Sequence, residues 1–171
     1  FIDAYWACLY GGIVPVPVAV GISDEHKHKL LRIAKRLGTP FLYTDKKLRE
    51  RLATFAATLG EPETWTALKP RTFLVDQLED ISKEGTPARL TADDVAFIQF
   101  SSGSTSEPKG VVLTHGNILA NAEGSRQGAG FSPDDVSLSW MPLTHDMGLI
   151  GFHLFMLYAG GFPLYRQTCA D

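Results

Sequence analysis

The sequence predicts an α/β fold, a largely parallel β-sheet with helices on both faces. Three observations carry that expectation. Helix-period and strand-like apolar stretches alternate along the chain. Most of them end at glycine or proline, the residues that stop helices and shape turns. The composition, 44% apolar and 20% charged in 171 residues, is that of a packed domain and argues against bulk disorder.

Phe1, Ala4, Tyr5, Cys8 and Leu9 recur at helical spacing. They predict an opening helix that ends at Gly11-Gly12, where glycine can turn left-handed. Ile13 to Val20 alternates valine with Pro15 and Pro17. Proline has no backbone donor, so an edge position or a loop is expected rather than a central strand. Ser23 stands where an N-cap belongs, with Asp24 and Glu25 in the first turn, where the helix dipole favours carboxylates. Leu30, Leu31, Ala34 and Leu37 form the apolar stripe of that helix, and Gly38 with Pro40 ends it. Phe41-Leu42-Tyr43 predicts a short buried strand. Asp45 opens a helix with Leu48, Leu52, Phe55 and Leu59 on one face, closed by Gly60 and Pro62.

Phe73-Leu74-Val75 is the next predicted strand, and the charged stretch Ser82 to Thr91, with Gly85 and Pro87, is a loop. Val95 to Phe100 and Gly110 to Leu113 are strands on either side of a polar turn; as a hairpin they would be the antiparallel exception in the sheet. Asn117 to about Gln127 predicts a helix, Val136 to Trp140 a strand, Met147 to Tyr158 a helix and Phe162 to Tyr165 a strand. There is no internal repeat and no low-complexity tract.

Charge and cysteine usage narrow the function. Sixteen basic against nineteen acidic residues give a net charge of −3, which leaves no basic excess for a run of nucleic-acid phosphates. Cys8 and Cys169 stand far apart, without CxxC or zinc-like spacing. A disulfide scaffold is excluded, and a reducing, cytoplasmic setting is expected. Met147 to Tyr165 carries no formal charge, but Gly160-Gly161 and Pro163 interrupt it. The helix left is about 20 Å long, short of the ~30 Å of hydrocarbon a span must cross. No membrane span is expected. The chain opens on Phe1 inside a helical pattern, with no basic region or cleavage site before it, and is read as a fragment whose start lies upstream.

The chemistry concentrates between residues 100 and 110. Five of the six residues Ser101, Ser102, Gly103, Ser104, Thr105 and Ser106 carry hydroxyls, and Lys109-Gly110 follow shortly after. Hydroxyls and exposed backbone amides can meet phosphate oxygens, glycine lets the backbone approach, and a lysine supplies a point charge. From composition alone, a solvated Ser-rich loop fits equally well. A Walker A loop does not fit, because Lys109 precedes the second glycine and no Ser or Thr follows it.

Ser101-Ser102-Gly103-Ser104-Thr105-Ser106-Glu107-Pro108-Lys109-Gly110 resembles the phosphate-loop signature of the adenylate-forming enzymes. That superfamily holds the acyl-CoA synthetases, the luciferases and the peptide-synthetase adenylation domains. Its members often have glycine where Ser106 stands. A second stretch, Trp140-Met141-Pro142-Leu143-Thr144-His145-Asp146-Met147-Gly148-Leu149-Ile150-Gly151, resembles the aromatic/histidine motif of the same superfamily, in the version most like the fatty acyl-AMP ligases. Tyr5 to Pro17 is similar to the family's early helix-strand element.

The resemblance implies that residues 1–171 are one incomplete piece of the large N-terminal adenylation domain, with a phosphate loop over 100–110. It implies a ligase using ATP and Mg to join a fatty-acid carboxylate to AMP and then pass the acyl group to an acyl carrier protein. An acyl-CoA synthetase shares the loop and is the alternative. Ser101, Ser102, Gly103, Ser104, Thr105, Ser106, Lys109 and Gly110 are the implied cradle for the phosphates. Lys109 and His145 are the implied catalytic residues, His145 by orienting the carboxylate. The residues alone favour a His145 imidazole fixed by Asp146 or by backbone. The family's adenine and ribose motifs and its C-terminal lysine are expected beyond Asp171. The piece is therefore expected to be inactive by itself, and a non-catalytic folding or docking module is the reading from another class. His26 and His28 read as solvated and His115 as structural. Leu149, Phe152, Phe155 and Met156 are a core stripe that could also line an acyl pocket. No metal-ligand cluster is expected.

Overall fold

The computed structural model describes residues 1–19, 23–38, 40–59, 62–77, 84–101 and 107–165. They form two compact units, the first built from Phe1–Val18, Gly85–Ser101 and Lys109–Asp171, the second from Ala19–Glu84 and Ser102–Pro108.

In the first unit, helix α1 (Ile2–Tyr10) buries Tyr5 and is followed by Gly12 at φ +68°. An added Cβ at Gly12 would lie 2.9 Å from the Ala88 side chain, so both conformation and space call for glycine there. Residues 13–19 form no strand; the proline segment meets strand β3 (Val95–Ser101) through the Ile98 N–H, which donates to the Pro15 carbonyl. Strand β4 (Lys109–Thr114) pairs antiparallel with β3, in a register that sets Gln99 opposite Val111 and Ser101 opposite Lys109. A register shift between Val95 and Phe97 lets neighbouring Ala96 and Phe97 both enter the core. Phe97, fully buried, packs with Tyr5, Ala96, Leu149 and Leu154. Burying a side chain of that size contributes ~1.5–3 kcal/mol.

Helix α5 (His115–Ala129) starts two residues before the expected Asn117. The Thr114 hydroxyl accepts from the Asn117 N–H and the Asn117 side chain accepts from the Thr114 N–H, both at 3.1 Å. Two otherwise orphaned donors are satisfied by one reciprocal cap. Strands β5 (Val136–Ser139) and β6 (Phe162–Tyr165) pair in parallel. Between them, the helix expected from Met147 winds as a π-helix over Met147–Leu154 and continues as α6 (Phe155–Ala159), stopped by Gly160 at φ +79°.

In the second unit, α2 (Asp24–Leu37) is capped by Ser23, whose hydroxyl accepts from the His26 N–H, and stops at Gly38. It buries Leu30, Leu31, Ile33 and Ala34; Leu37 is half-buried. The Asp45 carboxylate accepts from the Leu48 N–H at 2.7 Å and starts α3 (Lys46–Leu59), which buries Leu52, Phe55 and Ala56. Pro62, expected only to close that helix, is the first residue of another, α4 (Pro62–Leu68), which buries Trp65 and Leu68. At a first helical position the missing proline N–H has no partner to lose.

Strands β1 (Leu42–Thr44) and β2 (Thr72–Leu74) pair in parallel. The expected burial of Phe41 and Tyr43 is corrected: they are 67% and 45% exposed, and Thr44 is the buried residue. Tyr43 pairs with Phe73, itself exposed, so this ladder keeps one apolar face open. Val75 belongs to a 3-10 turn beyond β2.

The fold is α/β as expected, with the hairpin as the antiparallel exception. The described strands form three two-stranded ladders. Among the described residues, no helix is long and apolar enough to cross a membrane.

Candidate active site

The β3–β4 hairpin sets the geometry. Ser101 is the last residue of β3 and Lys109 the first of β4, and the two pair across the ladder. Paired strands hold such residues ~5 Å apart. Ser102, Gly103, Ser104, Thr105 and Ser106 lie outside the described residues. Ser101 and Lys109 are exposed, and among the described residues the Lys109 ammonium has no hydrogen-bond or ion-pair partner. Gly110 pairs with Phe100; a Cβ there would lie 3.0 Å from the Phe100 ring and 3.1 Å from the Ile98 side chain. Glycine thus lets the Phe100 ring cover the ladder beside Lys109. Glu107 forms an ion pair with Arg32 of α2; its carboxylate is largely exposed, so the pair adds little stability.

His145 stands on a tight turn. The buried Ser139 hydroxyl accepts from the Met141 N–H, the His145 N–H donates to the Pro142 carbonyl, and the Leu149 N–H donates to the His145 carbonyl. The turn closes so tightly that a Cβ on Gly148 would fall 2.2 Å from the Pro142 oxygen. The His145 side chain is 59% exposed, with Nδ1 2.7 Å from Asp146 Oδ1. That oxygen also accepts from the Met147 N–H at 2.7 Å, whereas Met147 N is 3.3 Å from His145 Nδ1. The shorter contacts assign the Nδ1 proton to Asp146. Nε2 then remains without a partner among the described residues, available to a ligand. His145 is thus fixed by Asp146, as its residues alone suggested, and still presents one ring nitrogen.

Gln99 joins the two parts. Its Nε2 donates to the Thr144 carbonyl at 3.0 Å, tying β3 to the residue before His145. The sequence reading misses Gln99, although a polar residue two positions from an apolar one, on the same face of a strand, is a visible signal.

The remaining histidines and the apolar stripe take structural places. His153, 4% exposed, accepts from Trp6 Nε1 at 3.0 Å and faces the Tyr165 hydroxyl through Nδ1. Burial pushes its pKa down. Leu149 and Met156 are fully packed and Phe152 and Phe155 half-buried. His26 bonds Ser23, His28 is exposed, and the His115 N–H donates to the Asp94 carbonyl. Among the described residues no group of three or more His, Cys, Asp or Glu side chains could hold a metal ion.

Comparison with known proteins identifies the family. Residues 1–169 match the family model described as AMP-binding enzyme. The chain is 29% identical, over 98% of its length and 28% of the relative's, to a medium-chain-fatty-acid–[acyl-carrier-protein] ligase, JamA, of Moorena producens. It is similar to the McyG A-PCP structure complexed with phenylalanyl-adenylate, with a TM-score of 0.82 and 33% identity over 97% of this chain and 26% of that one. A fatty acyl-adenylate ligase from L. pneumophila, in complex with acyl adenylate and pyrophosphate, gives a TM-score of 0.74 and 26% identity over 96% of this chain and 27% of that one. The chain spans about a quarter of the length of the curated relatives it matches. With nearly all its residues matched and the phosphate-loop signature carried between two paired strands, the chain belongs to the AMP-binding enzyme family.

Proposed function

We propose that this chain is a piece of the N-terminal adenylation domain of a fatty acyl-AMP ligase, which activates a fatty acid with ATP and passes it to a carrier-protein thiol in the reducing cytoplasm. The observation that carries the reading is the β3–β4 pairing of Ser101 with Lys109. It sets the exposed Lys109 across the ladder from Ser101, at the two ends of the segment that carries the signature. The names of the relatives support the substrate class, a fatty acid and an acyl carrier protein in one case and an acyl adenylate with pyrophosphate in another.

In the first step a carboxylate oxygen attacks the α-phosphorus of ATP. The new P–O bond forms as the bond to the bridging oxygen breaks, and pyrophosphate leaves with the electron pair. Negative charge grows on that leaving group. The hydroxyls of Ser101, Ser102, Ser104, Thr105 and Ser106, the backbone opened by Gly103 and the Lys109 ammonium are the donors assigned to it. Gly110 shapes the base of the hairpin. Magnesium, arriving with the nucleotide, would neutralise phosphate oxygens. His145 Nε2 is assigned the substrate carboxylate, held for in-line attack. In the second step the carrier thiol gives up its proton to solvent, its sulfur forms a bond to the acyl carbon as the bond from that carbon to the phosphate oxygen breaks, and AMP leaves with the electron pair.

The test is fatty-acid-dependent exchange of labelled pyrophosphate into ATP by the full-length protein. Incubation with ATP, fatty acid and either carrier protein or coenzyme A follows. Exchange with product on the carrier supports the reading. Product on coenzyme A alone turns it into an acyl-CoA synthetase, and no exchange with any fatty acid overturns it.

A further inference from the structure

We propose that Gln99 is a positioning residue that holds the His145 turn against the strand leading into the phosphate loop. Its role in catalysis rests on the acyl-adenylation reading; its grip on the turn does not. Along β3, Phe97, Gln99 and Ser101 share one face, and Phe97 is fully buried. The Gln99 amide is therefore carried inward, and its Nε2 donates to the Thr144 carbonyl 45 residues downstream at 3.0 Å. Its Oε1 is buried and has no hydrogen-bond partner among the described residues. Leaving such an acceptor unsatisfied destabilises a fold. Gln99 is thus a poor choice for packing alone, and its amide N–H is the feature the site uses.

The turn it grips is closed on itself. His145 N–H reaches Pro142, Leu149 N–H reaches His145, and Gly148 presses on the Pro142 carbonyl. Such a turn shifts as one body, so the hold on Thr144 sets where the His145 ring stands. Ser101, where β3 ends, is two residues from Gln99. The same strand therefore orients both parts of the site.

The experiment uses the full-length protein and the variants Gln99→Met, of similar length without the donor, and Gln99→Glu, which sets a carboxylate against the Thr144 carbonyl. Both should speed hydrogen exchange at the His145 and Leu149 amides several-fold while α5 amides stay protected as in the wild type. Gln99→Met should lower kcat/KM for the fatty acid about tenfold, the equivalent of one hydrogen bond, and leave KM for ATP within about twofold. In a His145→Ala background the same substitution should cost less than about twofold. Unchanged exchange at His145 and Leu149, or an undiminished tenfold loss in that background, overturns the proposal. If wild-type protein shows no adenylation, the functional reading falls while the exchange measurement still decides the role of Gln99.

Discussion

Gly148→Ala tests whether backbone packing holds the turn that carries His145. A methyl group there would stand 2.2 Å from the Pro142 oxygen, 2.9 Å from its carbonyl carbon and 3.0 Å from the Met141 oxygen. Ordinary contact begins at 3.4 Å, so the main chain on one side must retreat by about 1.2 Å. Main chain cannot swing aside as the end of a side chain can. Overpacking of this kind costs ~1–3 kcal/mol, and misplacing a reacting group by ~1 Å costs about 10²-fold in rate. Gly151 supplies the control, because a methyl there meets only the Met147 sulfur at 3.0 Å and its neighbouring carbon at 3.9 Å. That flexible side chain can rotate away, and Gly151→Ala should stay within about threefold of wild type. The assay is fatty-acid-dependent ATP–pyrophosphate exchange by the full-length protein, read as kcat/KM for the acid beside a denaturant midpoint. A Gly148→Ala protein with wild-type midpoint and turnover within about threefold would refute the packing account.

Two further perturbations probe other parts of the first unit. Lys109→Ala should slow exchange at saturating ATP by about 10²-fold and leave stability within ~0.5 kcal/mol, because the ammonium is exposed; wild-type turnover would remove Lys109 from the phosphate cradle. His153 is buried and its imidazole pKa is pushed below the ordinary value by that burial. The unfolded chain therefore takes up the proton first, so this contribution to stability is complete above about pH 6.5. It is lost as pH falls from there through the folded value. Wild type should lose stability between pH 6.5 and 5 more steeply than His153→Gln, and parallel urea midpoints across that range would count against the assignment.

What could be read from the chain in advance was local. Ser23 and Gly38 bound α2 as expected, because a cap and a left-handed stop act within one turn of the helix they end. Helix α5 begins two residues before the expected Asn117 because Thr114 and Asn117 cap each other, and their spacing of three is the sign of it in the sequence. Helix α4 escapes the sequence reading because proline both stops a helix and serves as a first residue, and Pro62 does the second. Phe41 and Tyr43 were expected to be buried because they are apolar. Burial depends on whether a second layer covers a strand, and no three-residue pattern contains that information.

The two halves of the site differ in the same way. The signature from Ser101 to Gly110 is ten consecutive residues, so the chemistry proposed for it is spelled out along the chain, and the pairing of Ser101 with Lys109 adds the geometry of its ends. His145 is equally conspicuous as part of a motif, but its position is set by contacts that skip along the chain. Asp146 takes one nitrogen, Gly148 closes the turn, and Gln99 reaches across 45 residues to hold it. Only the first two are neighbours in sequence. A polar amide two residues from the buried Phe97 signals that something inside needs a donor, yet the acceptor is named only when the chain folds. Removing the Gln99 amide leaves every residue of both motifs in place, so its cost to turnover separates the contribution of their placement from that of their chemistry.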